Sequence, residues 1–286
     1  MNAPFSGDAL SQRFEESAGL SPPAGGRLAG RRILVVGAGQ RQIDDPSPPI
    51  GNGRAISVLF AREGATLTCV DQSAEALEET CAVVRTEGGT AYAEVADVSQ
   101  ADGIAPLVER SVRQMGGLDG LVLVVGVANA LPLDQQTAET WDFEHAVNVR
   151  SHMLFAQQAM RHMAPGSAIV LMSSLAALRN SSGNPAYETT KAAQVSLARA
   201  IAMAGQPRGI RCNSVLPGLM DTPMGRAATR RRPARIGAPL PFGRQGTGWE
   251  VAYATLFLMS HESSYVNAHA LVVDGGLSAG IALAAA

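Results

Sequence analysis

Tyr187 and Lys191 are the two residues whose types and spacing could most directly do chemistry. They are four positions apart in the segment YETTK, and a helix would place both side chains on one face. A free tyrosine has a pKa of about 10, and a neighbouring ammonium lowers that pKa by favouring the phenolate. The pair could therefore exchange a proton near neutral pH. The same spacing also occurs on ordinary helix surfaces, so the interpretation depends on the surrounding residues.

Two further polar residues lie where they could serve the same site. Ser174 follows the apolar run AIVLM (168–172) and precedes Tyr187 by thirteen positions. Parallel sheets bind ligands at the carboxyl ends of their strands, so this serine could hydrogen-bond a substrate carbonyl. Asn148 lies in a predicted helix, where asparagine is a poor helix former and often has a local polar role such as holding a water.

Glycines after the first apolar run predict a turn that binds a pyrophosphate. Gly37 and Gly39 follow ILVV (33–36), and Gly51 and Gly53 begin the next helical segment. Glycines there allow backbone N–H groups to approach a phosphate at the positive end of a helix. Such a pattern can also be a tight turn that binds nothing.

Asp71 ends the second β-rich run and is the next indication of a nucleotide. A carboxylate at this position can accept hydrogen bonds from both hydroxyls of an adenosine ribose, and it would repel a 2′-phosphate. It therefore favours NAD over NADP. The alternative role is to cap the helix that follows, which Ser73 could do equally well.

Composition narrows the class of protein. The chain has 286 residues, 46% of them hydrophobic, and a net charge of −2, which suit one α/β domain and give no reason to expect nucleic acid or a membrane as partner. The longest apolar run, around Gly120 to Leu133, is too short to span a bilayer. Three widely spaced cysteines predict buried free thiols and a cytoplasmic protein, and no metal-ligand spacing predicts a metal site.

Strand-like and helical segments alternate along the chain. The β-rich runs are 33–36, 65–70, 90–95, 121–125, 168–172, 210–216 and 270–273, and the helical segments are about 53–63, 74–87, 101–115, 138–163, 186–204 and 248–259. Most of the runs are continuously apolar, as in parallel strands buried on both faces. The pattern predicts an α/β fold: a single-domain, Rossmann-type, doubly wound parallel sheet of about seven strands with helices on both faces.

Two segments stand outside this alternation. Residues 1–27 are rich in Ser, Gly, Pro and Ala and predict a flexible extension before a catalytic domain at 28–286. The stretch from Gly218 to Gly246 fits no strand and predicts a lid or a disordered loop.

Taken together, these residues resemble the short-chain dehydrogenase/reductase family, in its common single-domain form, from about Leu28 to Gly276. Asn148, Ser174, Tyr187 and Lys191 match its four catalytic positions. LAGRRILVVGAG resembles its opening strand, ADV (96–98) its adenine-contacting turn, NSVLPGLMDTPM (213–224) its nicotinamide-clasping segment, and FGRQGTGWEVAYATLFLMS and LVVDGG its closing helix and strand.

The resemblance implies an NAD(H)-dependent oxidoreductase that transfers hydride between nicotinamide and a secondary alcohol or ketone. Tyr187 would be the general acid/base, and Lys191 would lower its pKa and bind the nicotinamide ribose. Ser174 would steady the carbonyl or alcohol, and Asn148 would anchor a water that relays protons from Lys191. The implied cofactor-binding positions are Gly37, Gln40, Gly51, Asn52, Asp71, Asp97, Val98, Gly126, Tyr187, Lys191, Pro217, Gly218, Met220 and Thr222. Family members are commonly tetramers or dimers, so we expect a homotetramer or homodimer.

The glycine loop departs from the family pattern. The family usually has about three residues between its first two motif glycines, whereas Gly37 and Gly51 enclose thirteen. Lengthening a loop destabilises it little, because each doubling adds only about 0.6 kcal/mol. We therefore expect a working cofactor loop from which an insert, residues 41–49, protrudes and shields the cofactor or contacts a partner chain. Asp44 and Asp45 would face solvent or a neighbouring subunit, since their charge would repel a pyrophosphate.

A second departure follows the fourth predicted strand. Leu-Val-Val-Gly (123–126) stands where the family usually has Asn-Asn-Ala-Gly. Gly126 keeps the backbone close to the adenosine side, but the missing asparagine removes a strut between strands. We expect altered stability or cofactor affinity more than lost chemistry.

Two other functions remain open at this point. One is a 3-oxoacyl carrier-protein reductase that uses NADPH, with Arg230, Arg231, Arg232 and Arg235 facing an acidic partner. The other is a nucleotide-sensing or scaffold protein that kept the fold and lost the chemistry. A substrate pocket built from 219–245 and from residues after Ser174 would be partly hydrophobic, which suits a small-molecule alcohol or ketone.

Overall fold

The computed structural model of the protein describes residues 26–180, 183–231 and 240–280. Its strands are β1 (Arg32–Val36), β2 (Thr66–Asp71), β3 (Thr90–Val95), β4 (Leu118–Leu123), β5 (Met163–Met172), β6 (Arg211–Pro217), β7 (Met220–Asp221), β8 (Gly246–Thr247) and β9 (Ala270–Val273). Seven of them form one parallel sheet in the order β3-β2-β1-β4-β5-β6-β9, and β7 and β8 pair separately. The strands are added outward in one direction from β1 to β3 and in the other direction from β4 onward. The boundary between β1 and β4 is therefore the switch point, where open α/β sheets bind ligands.

Helices cover both faces of the seven-stranded sheet. They are α1 (Asn52–Arg62), α2 (Ala74–Thr86), α3 (Ile104–Met115), α4 (Ala138–His145), α5 (Ser151–Met160), α6 (Pro185–Gly205), α7 (Pro223–Arg231) and α8 (Gly248–Met259). Side chains alternate along the strands: Val35 packs with α1, α2 and α8, and Leu34 packs with α3, α5 and α6. Each face therefore has its own apolar core, and the predicted doubly wound fold is confirmed.

The structure corrects three of the predicted elements. The helix predicted at 138–163 is interrupted by a π-helical turn, Ala146–Arg150, and ends at Met160, because Met163 already pairs with β4. The fourth strand ends at Leu123, since the next two N–H groups both bond to one carbonyl of β1. The stretch Gly218 to Gly246, expected to contain no strand, includes α7 and the short strands β7 and β8.

The start of the predicted catalytic domain is held by contacts with the rest of the fold. Leu28 is fully buried, and the Arg27 side chain pairs with Glu262, so this end of the domain is anchored to the fold. Residues 1–25 of the extension predicted at 1–27 lie outside the described residues, and so do Arg232 and Arg235, which were predicted to face an acidic partner. Among the helices that the structure describes, none is long and apolar enough to cross a membrane.

Candidate active site

A cleft of about 1180 Å³ lies at the carboxyl ends of the sheet strands, beside the switch point. Every cofactor-binding position predicted from the sequence lines it: Gly37, Gln40, Gly51, Asn52, Asp71, Asp97, Val98, Gly126, Tyr187, Lys191, Pro217, Gly218, Met220 and Thr222. Ser174 lines the cleft as well. Asn148 lies beneath the lining, with its Oδ1 3.4 Å from the point where a Cβ on Gly126 would sit. The structure thus brings the predicted site residues together.

The glycine loop holds the start of α1 against the end of β1. Gly37 has a φ of +87°, and a Cβ on Gly53 would lie 1.9 Å from the Gly37 carbonyl oxygen, so only glycine allows this approach. Gly51 caps α1 without a side-chain hydrogen bond, which leaves the first N–H groups of the helix to a ligand. Asn52 Oδ1 is buried without a partner in the described structure. The free N–H groups of this helix N-terminus fit the pyrophosphate of a dinucleotide, whereas Asn52 Oδ1 is an acceptor and would need a donor such as a hydroxyl.

Asp71, the residue predicted to bind a ribose, lines the cleft beside the glycine loop. Its Oδ2 accepts a hydrogen bond from Gly39 N at 2.9 Å, and its Oδ1 accepts one from Ser73 N at 3.2 Å. Ser73 Oγ caps α2 by accepting from Ala76 N, so the alternative role of helix cap belongs to the serine. The Asp71 carboxylate therefore is not needed as the helix cap. It bonds to the glycine loop and faces the cleft, where it can still accept hydrogen bonds from a ligand.

The turn after β3 borders the same end of the cleft. Asp97 Oδ1 accepts from Ser99 N at 2.9 Å, and hydrogen bonds from Ser99 lower the pKa of Asp97. Val98 is buried next to it. These bonds hold the Asp97 carboxylate in place at this end of the cleft, in the segment that the sequence predicts to contact the adenine.

The first turns of α6 place the tyrosine and lysine side by side. Asn184 caps the helix by accepting from Tyr187 N at 3.3 Å, and Pro185 occupies its first position. Lys191 Nζ lies 5.4 Å from the centre of the Tyr187 ring. It also donates to the Met172 carbonyl at 2.9 Å, which ties the ammonium to the end of β5.

The protein environment lowers the pKa of Lys191. Lys191 is almost fully buried, and burial lowers its pKa to about 7, against which the carboxylate of Glu144 acts. Glu144 is buried in turn, and desolvation raises its pKa. Its Oε1 accepts from Asn129 N at 2.5 Å, which fixes the carboxyl group in place. Burial thus weakens the charged form of the lysine, and the Glu144 carboxylate acts to restore it.

Ser174 and the preceding residue, Ser173, make different contacts. Ser174 Oγ accepts from Ala176 N at 3.2 Å and caps a short turn at the cleft, and its hydroxyl can still donate to a carbonyl oxygen. Ser173 is buried and donates from Oγ to the Lys191 carbonyl at 2.7 Å. The first serine therefore faces the cleft, and the second fastens α6 to β5.

Asn148 does not lie inside a continuous helix, as the sequence suggested, but in the π-helical turn between α4 and α5. Its Oδ1 accepts from Val127 N at 2.8 Å, and its Nδ2 donates to Val127 O at 2.9 Å and to Thr190 Oγ1 at 3.0 Å. Single π-turns are frequent at functional sites. The side chain fastens the loop after β4 to α6, beneath the tyrosine and lysine.

Several known proteins are similar to this chain in sequence or in fold over most of their length. A solved short-chain dehydrogenase from Burkholderia cenocepacia, in complex with NADP, has a TM-score of 0.81 and 31% identity, covering 88% of this chain and 99% of its own. Cyclopentanol dehydrogenase of Comamonas sp. is 34% identical over 259 residues, which are 89% of this chain and 99% of the relative. The chain belongs to the short-chain dehydrogenase/reductase family. It is an enzyme that uses a nicotinamide cofactor and acts on CH–OH groups.

Two other comparisons agree with membership of the short-chain dehydrogenase/reductase family. The 3-oxoacyl-[acyl-carrier-protein] reductase of Thermotoga maritima is 32% identical over 253 residues, which are 88% of this chain and 99% of the relative. A family model described as enoyl-(acyl carrier protein) reductase matches residues 50–278. That match begins directly after the insert, which is the part of the loop that departs from the family.

The insert of this short-chain dehydrogenase/reductase docks on α7 of the same chain. Asp45 Oδ2 pairs with Arg226 Nη1 at 2.7 Å, and Arg226 also pairs with Asp221 at 2.7 and 2.9 Å. Arg230 donates to the Asp44 carbonyl at 2.6 Å. Of the two aspartates expected to face solvent or a neighbouring subunit, Asp44 is exposed, but the expectation is wrong for Asp45, because Arg226 and Arg230 supply an opposite charge within the chain.

Both ends of this contact are anchored near the cofactor cleft. At the neck of the insert, Gln40 Oε1 accepts from Gly51 N at 2.9 Å, so the loop closes although it is long. At the other side, Thr222 Oγ1 caps α7 by accepting from Gly225 N, and Gly218 N bonds to the Val273 carbonyl of β9. The insert and the predicted nicotinamide-clasping segment therefore meet at one edge of the cleft.

Sequence reasoning missed three buried polar residues near the lysine: Glu144, His152 and Gln194. Gln194 stands between Ala193 and Val195 in a segment of mostly small and apolar residues, which marks it as a buried polar side chain that needs partners. The polar segment around Glu144 carries no such signal. The spacing of Lys191 and Gln194, three positions apart in one helix, would have placed this pair on one face.

Proposed function

We propose that this enzyme transfers hydride between NAD(H) and a secondary alcohol or ketone. The observation that carries the proposal is the pairing of Tyr187 with a buried Lys191 in a cleft that also holds the Asp71 carboxylate. The nicotinamide, when bound, supplies or accepts the hydride. The protein has to bind that cofactor, orient the substrate and move one proton.

The proton transfer falls to Tyr187. In alcohol oxidation its phenolate would accept the hydroxyl proton as the substrate carbon loses hydride, and in ketone reduction its hydroxyl would return the proton to the oxygen. The Lys191 ammonium would stabilise the phenolate, and Ser174 Oγ would donate a hydrogen bond to the reacting oxygen. Asn148 would keep the Val127 loop and α6 in register beneath these groups.

The choice of NAD over NADP rests on Asp71. Its two oxygens lie at the cleft beside the glycine loop, where they could accept hydrogen bonds from the diol of a ribose. A 2′-phosphate would bring up to two further negative charges against this carboxylate. The Burkholderia cenocepacia relative is in complex with NADP, so the preference is a property to be tested in this chain rather than one carried by the family.

The insert would shield the bound cofactor. Arg226 joins Asp45 of the insert to Asp221 of β7, so one guanidinium links the glycine loop to the segment that leads into α7. Hydrogen bonding from Arg226 holds the pKa of Asp45 below its usual range, so this link stays charged at neutral pH. A dinucleotide bound between the two segments could dissociate only after this link had opened.

A carrier-protein reductase that uses NADPH is the second candidate. The name of the Thermotoga maritima relative supports it, and so does the basic end of α7. Arg226 and Arg230 are engaged with the insert, which reduces the positive charge that an acidic partner would meet. A sensor or scaffold without chemistry is less well supported, because all four predicted catalytic side chains lie in or directly beneath one cleft.

The lining of the cleft favours a small, partly apolar substrate. Leu219, Met220 and Met224 line the cleft together with Ser174 and Arg179. Assembly into a homodimer or homotetramer would use the exposed apolar side chains on the helices, among them Phe143, Met153 and Met203. The three free cysteines are buried, which fits the reducing conditions of a cytoplasm.

A panel of reactions tests this function. The enzyme with NAD⁺ is expected to oxidise at least one open-chain or cyclic secondary alcohol, measured as NADH absorbance at about 340 nm, with a primary alcohol of equal carbon number as the control. Reduction of 3-oxoacyl thioesters of carrier protein by NADPH alone would instead establish the second candidate. Cofactor binding with no turnover of either class would favour the sensor.

A further inference from the structure

Gln194 joins the catalytic lysine to a buried polar network behind the cleft. Its Oε1 accepts from Lys191 Nζ at 3.1 Å, and its Nε2 donates to the Asn148 carbonyl at 2.7 Å. The same Nε2 lies 3.2 Å from His152 Nδ1. All four side chains are buried, so solvent cannot replace these contacts. The amide therefore bridges the ammonium, the π-helical turn and the histidine.

The histidine completes the hydrogen bonding of this amide. Burial lowers the pKa of His152 to about 3, so the ring is neutral at physiological pH. Its Nε2 lies 3.1 Å from the Val125 carbonyl, which can only accept, so the Nε2 carries the proton and Nδ1 accepts from Gln194. Val125 belongs to the Leu-Val-Val-Gly segment, where the family's asparagine is missing. The histidine and Gln194 thus supply a strut from that segment to α6.

The groups that face the lysine differ in charge. Tyr187 lies in front of the ammonium, Glu144 acts on it from α4, and His152 lies behind it on α5. On the buried side the direct partners are neutral oxygens, those of Gln194 and of the Met172 carbonyl. A neutral acceptor stabilises the ammonium without cancelling its charge, so the charge remains available to the phenol.

We propose that Gln194 is a positioning residue: it holds the Lys191 ammonium charged and aimed at Tyr187. The proposal rests on the proposed function, because it concerns the proton transfer at the same tyrosine. In the family resemblance, a water at Asn148 connects to the lysine. Here the Asn148 carbonyl accepts a hydrogen bond from the amide of Gln194, whose oxygen accepts one from the lysine, so this side chain connects Asn148 to Lys191 directly.

Two substitutions separate this role from packing. Gln194→Met keeps the volume but removes every hydrogen bond, whereas Gln194→Ala leaves space that water can enter to solvate the ammonium. If Gln194 positions the lysine, the Met variant should lose more catalytic activity, because it offers no hydrogen bond to the ammonium. If Gln194 only fills space, the Ala variant should lose more, because it leaves a cavity. Thr255→Val, a buried polar-to-apolar change on α8, is the matched control.

The readout is the pH midpoint of the Tyr187 phenolate, followed by absorbance at about 295 nm with NAD⁺ present and with Tyr187→Phe as the blank. We expect Gln194→Met to raise this midpoint by about one pH unit and to lower kcat at pH 7 about tenfold, with KM little changed. Gln194→Ala should show a smaller rise, and Thr255→Val none.

Other results would overturn the proposal. An unchanged midpoint in Gln194→Met, or losses of kcat that follow only the thermal stabilities of the variants, would show a packing role. Where the Met variant does not fold, an unshifted midpoint in Gln194→Ala does the same. A wild-type midpoint near that of free tyrosine, about 10, would overturn this proposal together with the acid/base role of Tyr187, whereas a low wild-type midpoint that Gln194→Met leaves in place overturns this proposal alone.

Discussion

Tyr187→Phe is expected to lower kcat about a thousandfold or more while the protein still folds and binds NADH. The substitution removes only the hydroxyl that would exchange a proton with the substrate, and positioned acid/base groups contribute roughly 10²–10⁴ in rate. The aromatic ring that packs 5.4 Å from the Lys191 ammonium remains. Steady-state rates with the best alcohol and NAD⁺, together with an NADH titration, measure the two parts of this expectation.

The matched control for this variant is Tyr253→Phe. Tyr253 is an exposed tyrosine on α8 that does not line the cleft, so its hydroxyl should be dispensable. A loss of less than about tenfold in Tyr187→Phe, with normal folding, would show that another group performs the proton transfer.

Arg226→Met is expected to speed the dissociation of NADH about tenfold, because it removes the link from the insert to β7 and leaves Arg230 as the arginine of α7 that still bonds the insert. The variant removes the ion pairs to Asp45 and Asp221 but keeps an unbranched side chain of similar length. The rate is measured by stopped-flow fluorescence as excess NAD⁺ displaces bound NADH. Asp45→Asn should act in the same direction, and the double variant should exceed Arg226→Met by little, since both changes remove one shared contact.

Arg110→Met provides the control for the insert. Arg110 pairs with Glu94 at the edge strand β3, outside the cleft, so its loss should leave the rate unchanged. Shielding by the insert is refuted if the Arg226 and Asp45 variants exchange NADH at the wild-type rate. Deletion of residues 41–49 with unchanged cofactor affinity and unchanged assembly would remove both roles considered for the insert.

The order of secondary structure could be predicted because each element carries its own pattern. The helix at 248–259 has the predicted bounds, and the predicted strands overlap the observed ones. The π-helical turn at Ala146–Arg150 had no local pattern, since it depends on contacts of Asn148 with a loop that is distant in sequence. Helix α7 was missed because Pro223 and its polar, arginine-rich neighbours provide no apolar stripe.

The candidate site was predictable where chemistry depends on residue type at a strand end or a helix start. Ser174 and Asp71 line one cleft because the carboxyl ends of parallel strands lie at the same edge of the sheet. The first turns of helix α6 bring Tyr187 and Lys191 to the same edge. The docking of Asp45 on Arg226 joins positions 181 apart, and no local spacing indicates such a pair. The Gln194 network is equally non-local, since it depends on three separate elements meeting behind the lysine.

The most direct test of the central claim, an NAD(H)-dependent active site with a modified glycine loop, is a titration of the wild-type protein with NADH and with NADPH under the same conditions. The account predicts that NADH binds at least about tenfold more tightly, because Asp71 accepts bonds from its ribose and repels a 2′-phosphate. Equal or tighter binding of NADPH would contradict the assignment of NAD. Binding of neither would contradict the proposal that this loop, with its insert, holds a dinucleotide.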